Sequence, residues 1–542
     1  MSSPNSSTGL FDGKFFITMG LVFAAWMGWQ AYMAKKYPDA YKPKTAQTAP
    51  VAGSAGQTQP QQSGGALAAD TGGTSDKSIQ TKSAIAAETL TQVQDDVWSF
   101  AISSRGMAIR DVKLARYKDR TGKPIEFSAG ESLGLFGTGL AGRRDELHFS
   151  VKKSAENQYV GIAIIDGMKI TKILQIDSAL YTFKTQVRAE KLSSAFTGFT
   201  THLIEELKQF EAGSFFAPSF EHQEFFAVHE GTDSRSAVHI ETAHAETFPQ
   251  AKIAAFGTQY FTAAIIDNSP VLAEFKAVAI PGEAPKAIGT LTHTLLHPSE
   301  TFAIEYTAFA GPKAYDLLQS VDVDLAKIIN LGFFQAIAKG ILWLMKTIHA
   351  AMGNWGVAII FLTILVRILV LPFNVIGYKQ MKAMAAIQPA MKSLREKYKS
   401  DPQKLNQEML TLMKEAKANP LGGCLPMLLQ IPIFFALYQV IGQSIELYHA
   451  PFIFWIHDLS LKDPFYVLPI LMGITMFIQQ KITPNTMEPA QQKIMLILPF
   501  LFTFLMVSLP SGLTLYIFVS SVFGVLQQLY FMKDNKPVGV KA

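Results

Sequence analysis

Arg367 stands inside one of the most apolar stretches of this chain, WGVAIIFLTILVRILVLPF at residues 355–373, with no acidic residue there to neutralise it. A charge near the middle of a membrane-crossing helix costs roughly 2.5–3.5 kcal/mol on insertion scales. Such a side chain either snorkels to an interface or faces a wet cavity or a partner. Counted from Trp355, Arg367 lies about 18 Å along a helix rising ~1.5 Å per residue, which favours the cavity. Thr363 precedes it by one turn, and the other apolar segments carry Gln430, Gln439, Gln479, Gln480, Ser508, Ser520, Ser521, Gln527 and Gln528 but no carboxylate. One cation among uncharged polar groups suits a water-filled pocket that receives peptide. No G-x-x-x-x-G-K-[ST] occurs, so nothing points to nucleotide hydrolysis.

Two other clusters resemble chemistry. His229, Glu230, His239, Glu241, His244 and Glu246 include His-x-Glu-x-x-His, which is not H-E-x-x-H and lacks helical periodicity, so it reads as a polar surface loop rather than a metal site. Leu421-Gly-Gly-Cys424 imitates a lipid-attachment box, but with no signal sequence before it Cys424 reads as a packed thiol. As the single cysteine it also excludes an internal disulfide framework. No catalytic residue, metal or cofactor is expected.

The elements around these residues are those of a membrane protein. The chain is 49% hydrophobic and only 17% charged, and its apolar residues concentrate at 15–34 and after residue 355. The first segment is about 20 residues long, enough to cross a ~30 Å hydrocarbon core, and Trp26, Trp29 and Tyr32 stand where a cleavage site would need small residues. It reads as an uncleaved anchor (residues 1–39). Residues 40–90 are rich in Ala, Gln, Gly, Ser, Thr and Pro and read as a flexible linker. Short β-like runs then predict one all-β sandwich at 91–315. Residues 316–352 contain an amphipathic helix (333–350) with Lys339 and Lys346 on its polar stripe, expected to lie in the interface. Spans follow at about 355–374, 424–443, 465–481, 494–509 and 512–531, the shortest at the lower limit for crossing.

Orientation follows from the lysines. The segment 379–417 carries Lys379, Lys382, Lys392, Arg395, Lys397, Lys399, Lys404, Lys414 and Lys417, which places it in the cytoplasm. Alternation puts the β domain outside and both termini inside; Lys35 and Lys36, on the outer side of the first span, disagree and are outweighed. Within 379–417, apolar residues at three- and four-residue spacings flank Ser400-Asp401-Pro402, a helix stop, N-cap and first-turn proline, so an antiparallel helical hairpin is predicted. Pro389 is expected to kink or restart its first helix. The basic tail 533–542 is short.

GNWGVAIIFLTILVR (353–367), NPLGGCLPMLLQIPIFFALY (419–438), FIFWIHDLSLKDPFYVLPILMG (452–473), QQKIMLILP (491–499) and PSGLTLY (510–516) together resemble the YidC/Oxa/Alb membrane protein insertases, in the form found in two-membrane bacteria. The resemblance runs over nearly the whole chain. It implies a multi-pass α-helical protein of six spans, with a five-helix core at 353–532 and a large periplasmic domain. The core would form a lipid-open hydrophilic groove, with Arg367, Thr363 and Gln430 lining it and Phe434, Met472 and Tyr516 meeting substrate. Where the family has a second tyrosine after Tyr516, this chain has Ile517. The implied partners are nascent membrane proteins, the phospholipid bilayer, the Sec translocon, and the ribosome through the hairpin and tail; no DNA is implied. The implied location is the bacterial inner membrane.

Two rival readings stand beside this one. A secondary transporter would normally carry intramembrane acids and paired repeats with broken helices. An envelope protein that binds or processes carbohydrate could use a β sandwich of this size.

Overall fold

The computed structural model describes residues 87–127, 134–143, 147–210, 221–418, 425–483 and 489–532. The expected span at 15–34, the linker up to residue 86, Cys424 and the 533–542 tail lie outside these.

The β-rich half holds two antiparallel sheets. A four-stranded sheet runs in sequence order through Leu90–Gln94, Trp98–Ser103, Ile109–Lys118 and Pro124–Phe127. The thirteen-stranded sheet carries, side by side, Thr138–Leu140, Gly198–Glu206, Lys286–Thr294, Ala273–Ile280, His244–Gly257, Phe261–Asp267, Thr301–Pro312, Thr182–Glu190, Met168–Asp177, Gln158–Ile165 and Ser150–Ala155. The hairpin Gln223–His229/Thr232–Val238 pairs onto His244–Gly257. That long strand changes partners where its register shifts between Phe248 and Ala251, beside Gln250 at φ 47°. A bulge there adds twist and lets one sheet curve on itself. The two sheets meet through Trp98, which stacks on Phe183 at 4.7 Å and meets Phe100 and Tyr181 edge-on.

Alternation along Met168–Asp177 turns Met168, Ile170, Leu174 and Ile176 inward, and with them Lys172. Its amine donates to the carbonyls of Gly106, Met107 and Phe136 at 3.2, 2.9 and 2.8 Å. Those three residues all have positive φ, so the lysine ties together two strained turns. Burial pushes its pKa down to about 7.

The helical half begins with α1 (Tyr315–Val321) and a 3₁₀ turn at Leu325–Ile328, followed by α2 (Gln335–Met352), α3 (Trp355–Lys397), α4 (Pro402–Glu415), α5 (Leu425–Gln443), α6 (Val467–Ile482), α7 (Pro489–Met506) and α8 (Ser511–Met532). Among the described residues, α3 and Ser511–Phe531 are long and apolar enough to cross a membrane; Leu429–Gln443, Val467–Ile482 and Met495–Met506 are shorter apolar helices.

Two expectations need correcting. Of the two outcomes expected of Pro389, a restart is excluded: α3 runs on for 43 residues through Pro372 and Pro389. Pro389 is exposed, so water can serve the carbonyl it frees, while Met384, Ile387 and Met391 on the other face pack against Met409 and Met413 of α4 and hold the rod. The polar stripe of α2 is also less solvated than its lysines suggested. Lys346 bridges Asp316 at 2.9 Å and Glu446 at 2.7 Å, while Ala338, Ile341, Leu342 and Met345 are buried and Trp343 stays exposed. α2 therefore packs on the core as well as offering an apolar side to its surroundings.

The halves touch beside the 3₁₀ turn, where Lys252 pairs with Asp324 at 2.6 Å and Arg235 donates to the carbonyl of Ile328 at 2.9 Å, and again at the 442–449 segment. The Tyr448 hydroxyl and His449 Nε2 both approach the carbonyl of Lys118, at 3.0 and 3.1 Å, and Tyr260 lies against the Tyr448 ring. Gln259 Nε2 donates to the carbonyl of Gly442.

Candidate functional site

The end of the helical half that holds the N-termini of α3, α6 and α8 is built by three of the sequence signatures. Gly353, at φ 68°, ends α2, and Asn354 caps α3 by accepting from Val357 N at 3.0 Å. The Asn354 amide also donates to the carbonyls of Pro451 and Phe452. Gly356 must lack a side chain, because a Cβ there would lie 2.1 Å from the Phe452 ring. In the loop that follows, Asp463 accepts from Trp455 Nε1 at 2.9 Å and from Leu468 N at 2.7 Å, fixing the start of α6. Ser511 N and Gly512 N, at the start of α8, donate to the carbonyls of Leu461 and Leu459. The free donors of the α8 N-terminus are thus spent on the loop, and this end is closed by hydrogen bonds.

Below this cap, Arg367 of α3 reaches α8. Its Nε donates to Ser520 Oγ at 2.8 Å and Nη2 donates to the same oxygen. The side chain is half-buried, and no described carboxylate pairs with it. Tyr516, one turn before Ser520, accepts from Gln430 Nε2 of α5 at 2.7 Å. Arg367, Ser520, Tyr516 and Gln430 thus form a polar path across three helices. Phe434, one turn after Gln430, is half-buried and near Phe435 and Tyr438.

The other two expected residues are placed differently. Thr363 is fully buried, and its hydroxyl donates to Ile359 O of its own helix at 2.6 Å. Met472 is also fully buried, in the packing of α6. Neither presents surface in this conformation, and Tyr516, 2% exposed, does not either. Ile517 is half-buried against the same core.

A second set of polar contacts was not singled out by sequence. Asn374 Nδ2 donates to Gln527 Oε1 at 3.2 Å, and Gln528 Nε2 to Thr483 Oγ1 at 2.9 Å. The signal was present: Arg367 and Asn374 are seven residues apart, as are Ser520 and Gln527. Both pairs span 153 positions, and Tyr378 stacks on Phe531 at the same offset. α3 and α8 therefore run parallel and in register. Among the described residues no group of three or more His, Cys, Asp or Glu could hold a metal ion. His229 and His244 lie on strands, where they approach Ser234 and Glu246, rather than in one surface loop.

Two family descriptions match the chain, YidC periplasmic domain over residues 90–344 and 60Kd inner membrane protein over 347–538. Among curated proteins, the chain is similar to the membrane protein insertase YidC of Geobacter sulfurreducens, 45% identical over 285 residues, and of Francisella philomiragia, 47% identical over 240 residues. The first alignment covers 52% of each chain and the second 44% of each, so the chain spans about half the length of the curated relatives it matches. A solved structure of an active YidC insertase with its first transmembrane domain resolved is 18% identical at a TM-score of 0.37, covering 81% of this chain and 94% of that one.

Proposed function

The chain belongs to the family of the YidC membrane protein insertases, and from that premise we propose that it inserts nascent membrane proteins into the bacterial inner membrane and helps them fold. Inserting a helix requires a polar flank to cross hydrocarbon, where each unsatisfied peptide group costs several kcal/mol. A polar groove reaching partway from the cytoplasm shortens that crossing. The driving free energy is burial of the substrate's apolar segment, roughly 25 cal/mol per Å². No nucleotide is consumed. The observation that carries this reading is Arg367, a half-buried cation held by the Ser520 hydroxyl rather than by a described carboxylate. It remains available to an acidic residue in a substrate tail.

In this reading, six spans cross the membrane, the anchor and the five core helices α3 and α5–α8. The β domain is periplasmic and the hairpin cytoplasmic. Exposed Trp343, Phe454 and Phe465 support an outer interfacial level, where aromatic residues settle. α6, at 16 residues, is short for a span and thins the bilayer beside it. Gln430 and Phe434 line the groove with Arg367, whereas Thr363, Met472 and Tyr516, all buried, come into contact with substrate only after repacking. The Sec translocon and the ribosome are its partners in supply.

Depletion of the protein followed by proteomics of the inner membrane tests this function. Selective loss of small single- and double-span proteins is the expected result. Loss of one solute's uptake with an unchanged membrane proteome would instead assign a transporter.

A further inference from the structure

Two helical turns to the cytoplasmic side of Arg367, the seam between α3 and α8 carries a second polar level with different chemistry. Asn374 and Gln527 are 4% and 7% exposed, yet Gln527 Nε2 has no hydrogen-bond partner. A buried amide donor without a partner costs about 1–3 kcal/mol. Its neighbour Gln528 pairs with Thr483 of α6, and Thr483 lines a cavity of about 160 Å³ together with Gln479, Gln480, Met476, Leu498 and Pro499. Gly524, one turn earlier on α8, lets Gln479 lie close: a Cβ at Gly524 would be 3.1 Å from Gln479 Nε2. An uncharged amide and hydroxyl layer thus runs from α3 across α8 to a cavity beside α6.

We propose that this layer is a second substrate station, one that takes an extended, uncharged peptide segment through its backbone groups. The proposal rests on the insertase reading and gives the groove two levels, a cation level at Arg367 and a neutral level at Asn374 and Gln527. The chemistry selects the ligand class. A peptide group carries both a donor and an acceptor, so it satisfies the Gln527 amide in either orientation of that amide. The amides and hydroxyl of this layer offer a carboxylate or phosphate no charge, the neighbouring Lys481 amine lying over the Phe477 ring at 5.1 Å, and an apolar side chain would leave the donor unpaired.

The competing explanation is that the Asn374–Gln527 contact only fixes the register of two parallel helices, as a buried polar residue does in coiled coils. Replacing both amides with leucine separates the two, because removing both partners of a buried hydrogen bond is nearly neutral for folding. The full chain is reconstituted into liposomes of phosphatidylethanolamine and phosphatidylglycerol. Insertion of single-span substrates with acidic and with neutral tails is read by protease protection. For Asn374→Leu/Gln527→Leu, a roughly five- to tenfold fall in insertion, equal for both tail classes and with an unchanged melting temperature, is expected. Retained insertion with an unchanged melting temperature overturns the proposal and leaves a register contact. If the double variant melts early, a photoreactive residue at position 480 of the otherwise unmodified chain decides. Capture of a ribosome-stalled nascent chain from position 480 supports the station; capture from position 434 but none from 480 overturns it. Absence of insertion by the unmodified protein would overturn the insertase reading and the station together.

Discussion

The sharpest consequences at the residue scale concern two cations, half-buried Arg367 and fully buried Lys172. At 4 Å and an effective dielectric near 20, an ion pair to Arg367 gains about 4 kcal/mol before desolvation, against ~1 in bulk water. Charge should therefore matter more than shape. Arg367→Lys is expected to retain most insertion, Arg367→Ala to impair substrates with acidic tails while sparing neutral ones, and Arg367→Glu to be worst for the acidic class. Protease protection of single-span substrates differing only in tail charge reads this out; equal loss across tail charges would give the arginine a folding role. Lys172 makes a different prediction. Its folded pKa of about 7 lies below the usual lysine value, so between the two the unfolded chain binds more protons and stability rises with pH. Lys313, lowered to about 8 mainly by burial, contributes in the same direction at higher pH. Lys172→Met should remove roughly half the rise in melting temperature of the β domain between pH 8 and 9.5, each group contributing at most about 1.4 kcal/mol per pH unit. An unchanged rise would mean that Lys172 is charged and well solvated. Arg367 was legible in the sequence because a charge in an apolar run is conspicuous. Lys172 was not, because a lysine on a strand of alternating pattern is ordinarily read as outward-facing. Gln527 was noticed as polar, but its partner Asn374 sits at the last residue of the expected span and could be assigned only once α3 and α8 were seen to run in register.

Elements were legible where the rule is local. Asp401 accepts from Lys404 N at 3.1 Å and Pro402 opens α4, as the Ser-Asp-Pro sequence predicts. The unbroken α3 was not legible, because proline's local effect is outweighed by a methionine-rich seam contributed by another helix. Helix pairing makes its own prediction. A Cβ on Gly473 of α6 would meet Thr503 Oγ1 of α7 at 2.0 Å, and that hydroxyl already donates to Pro499 O at 2.8 Å. Gly473→Ala should destabilise the α6–α7 pair by about 1–3 kcal/mol, the cost of overpacking, with Thr503→Ala restoring most of the loss. Thermal unfolding in detergent measures both; a Gly473→Ala protein as stable as the parent would show that α7 can shift at no cost.

For the whole molecule, the lysine distribution predicts a sidedness that fusions can check. Reporters after residue 200 and after residue 541 should give opposite compartments, and finding both on one side would refute the topology. The polar path and the closed end lie in the helical half, and the β domain reaches that half through Tyr448, His449 and Gln259 and through the 3₁₀ turn at Leu325–Ile328, away from the polar path. A chain that keeps its anchor but lacks about 100–310 should therefore still support growth when the parent is depleted. Failure at normal membrane levels would assign the domain an essential part. Strand periodicity made the β domain visible in the sequence, but its docking was not, since Lys118 and Tyr448 are joined only by the tertiary fold.

α3 is also a lever. Pro372 divides its 43 residues into an arm of about 26 Å, gripped at its N-terminal end by the Asn354 cap and the 451–452 loop, and an arm of about 38 Å that touches α8 at Asn374 and Tyr378 and ends in the hairpin. Proline is the natural pivot of a helix, since it has already given up one rung of the backbone ladder. A bend of only about 10° there swings the hairpin tip through roughly 6 Å while Arg367, five residues from the fulcrum on the gripped side, barely moves. Asn374, two residues beyond the fulcrum, shifts by only about 0.5 Å, so a pull on the hairpin is absorbed farther along α3 while the contacts of Arg367 with Ser520 and of Asn374 with Gln527 stay in place.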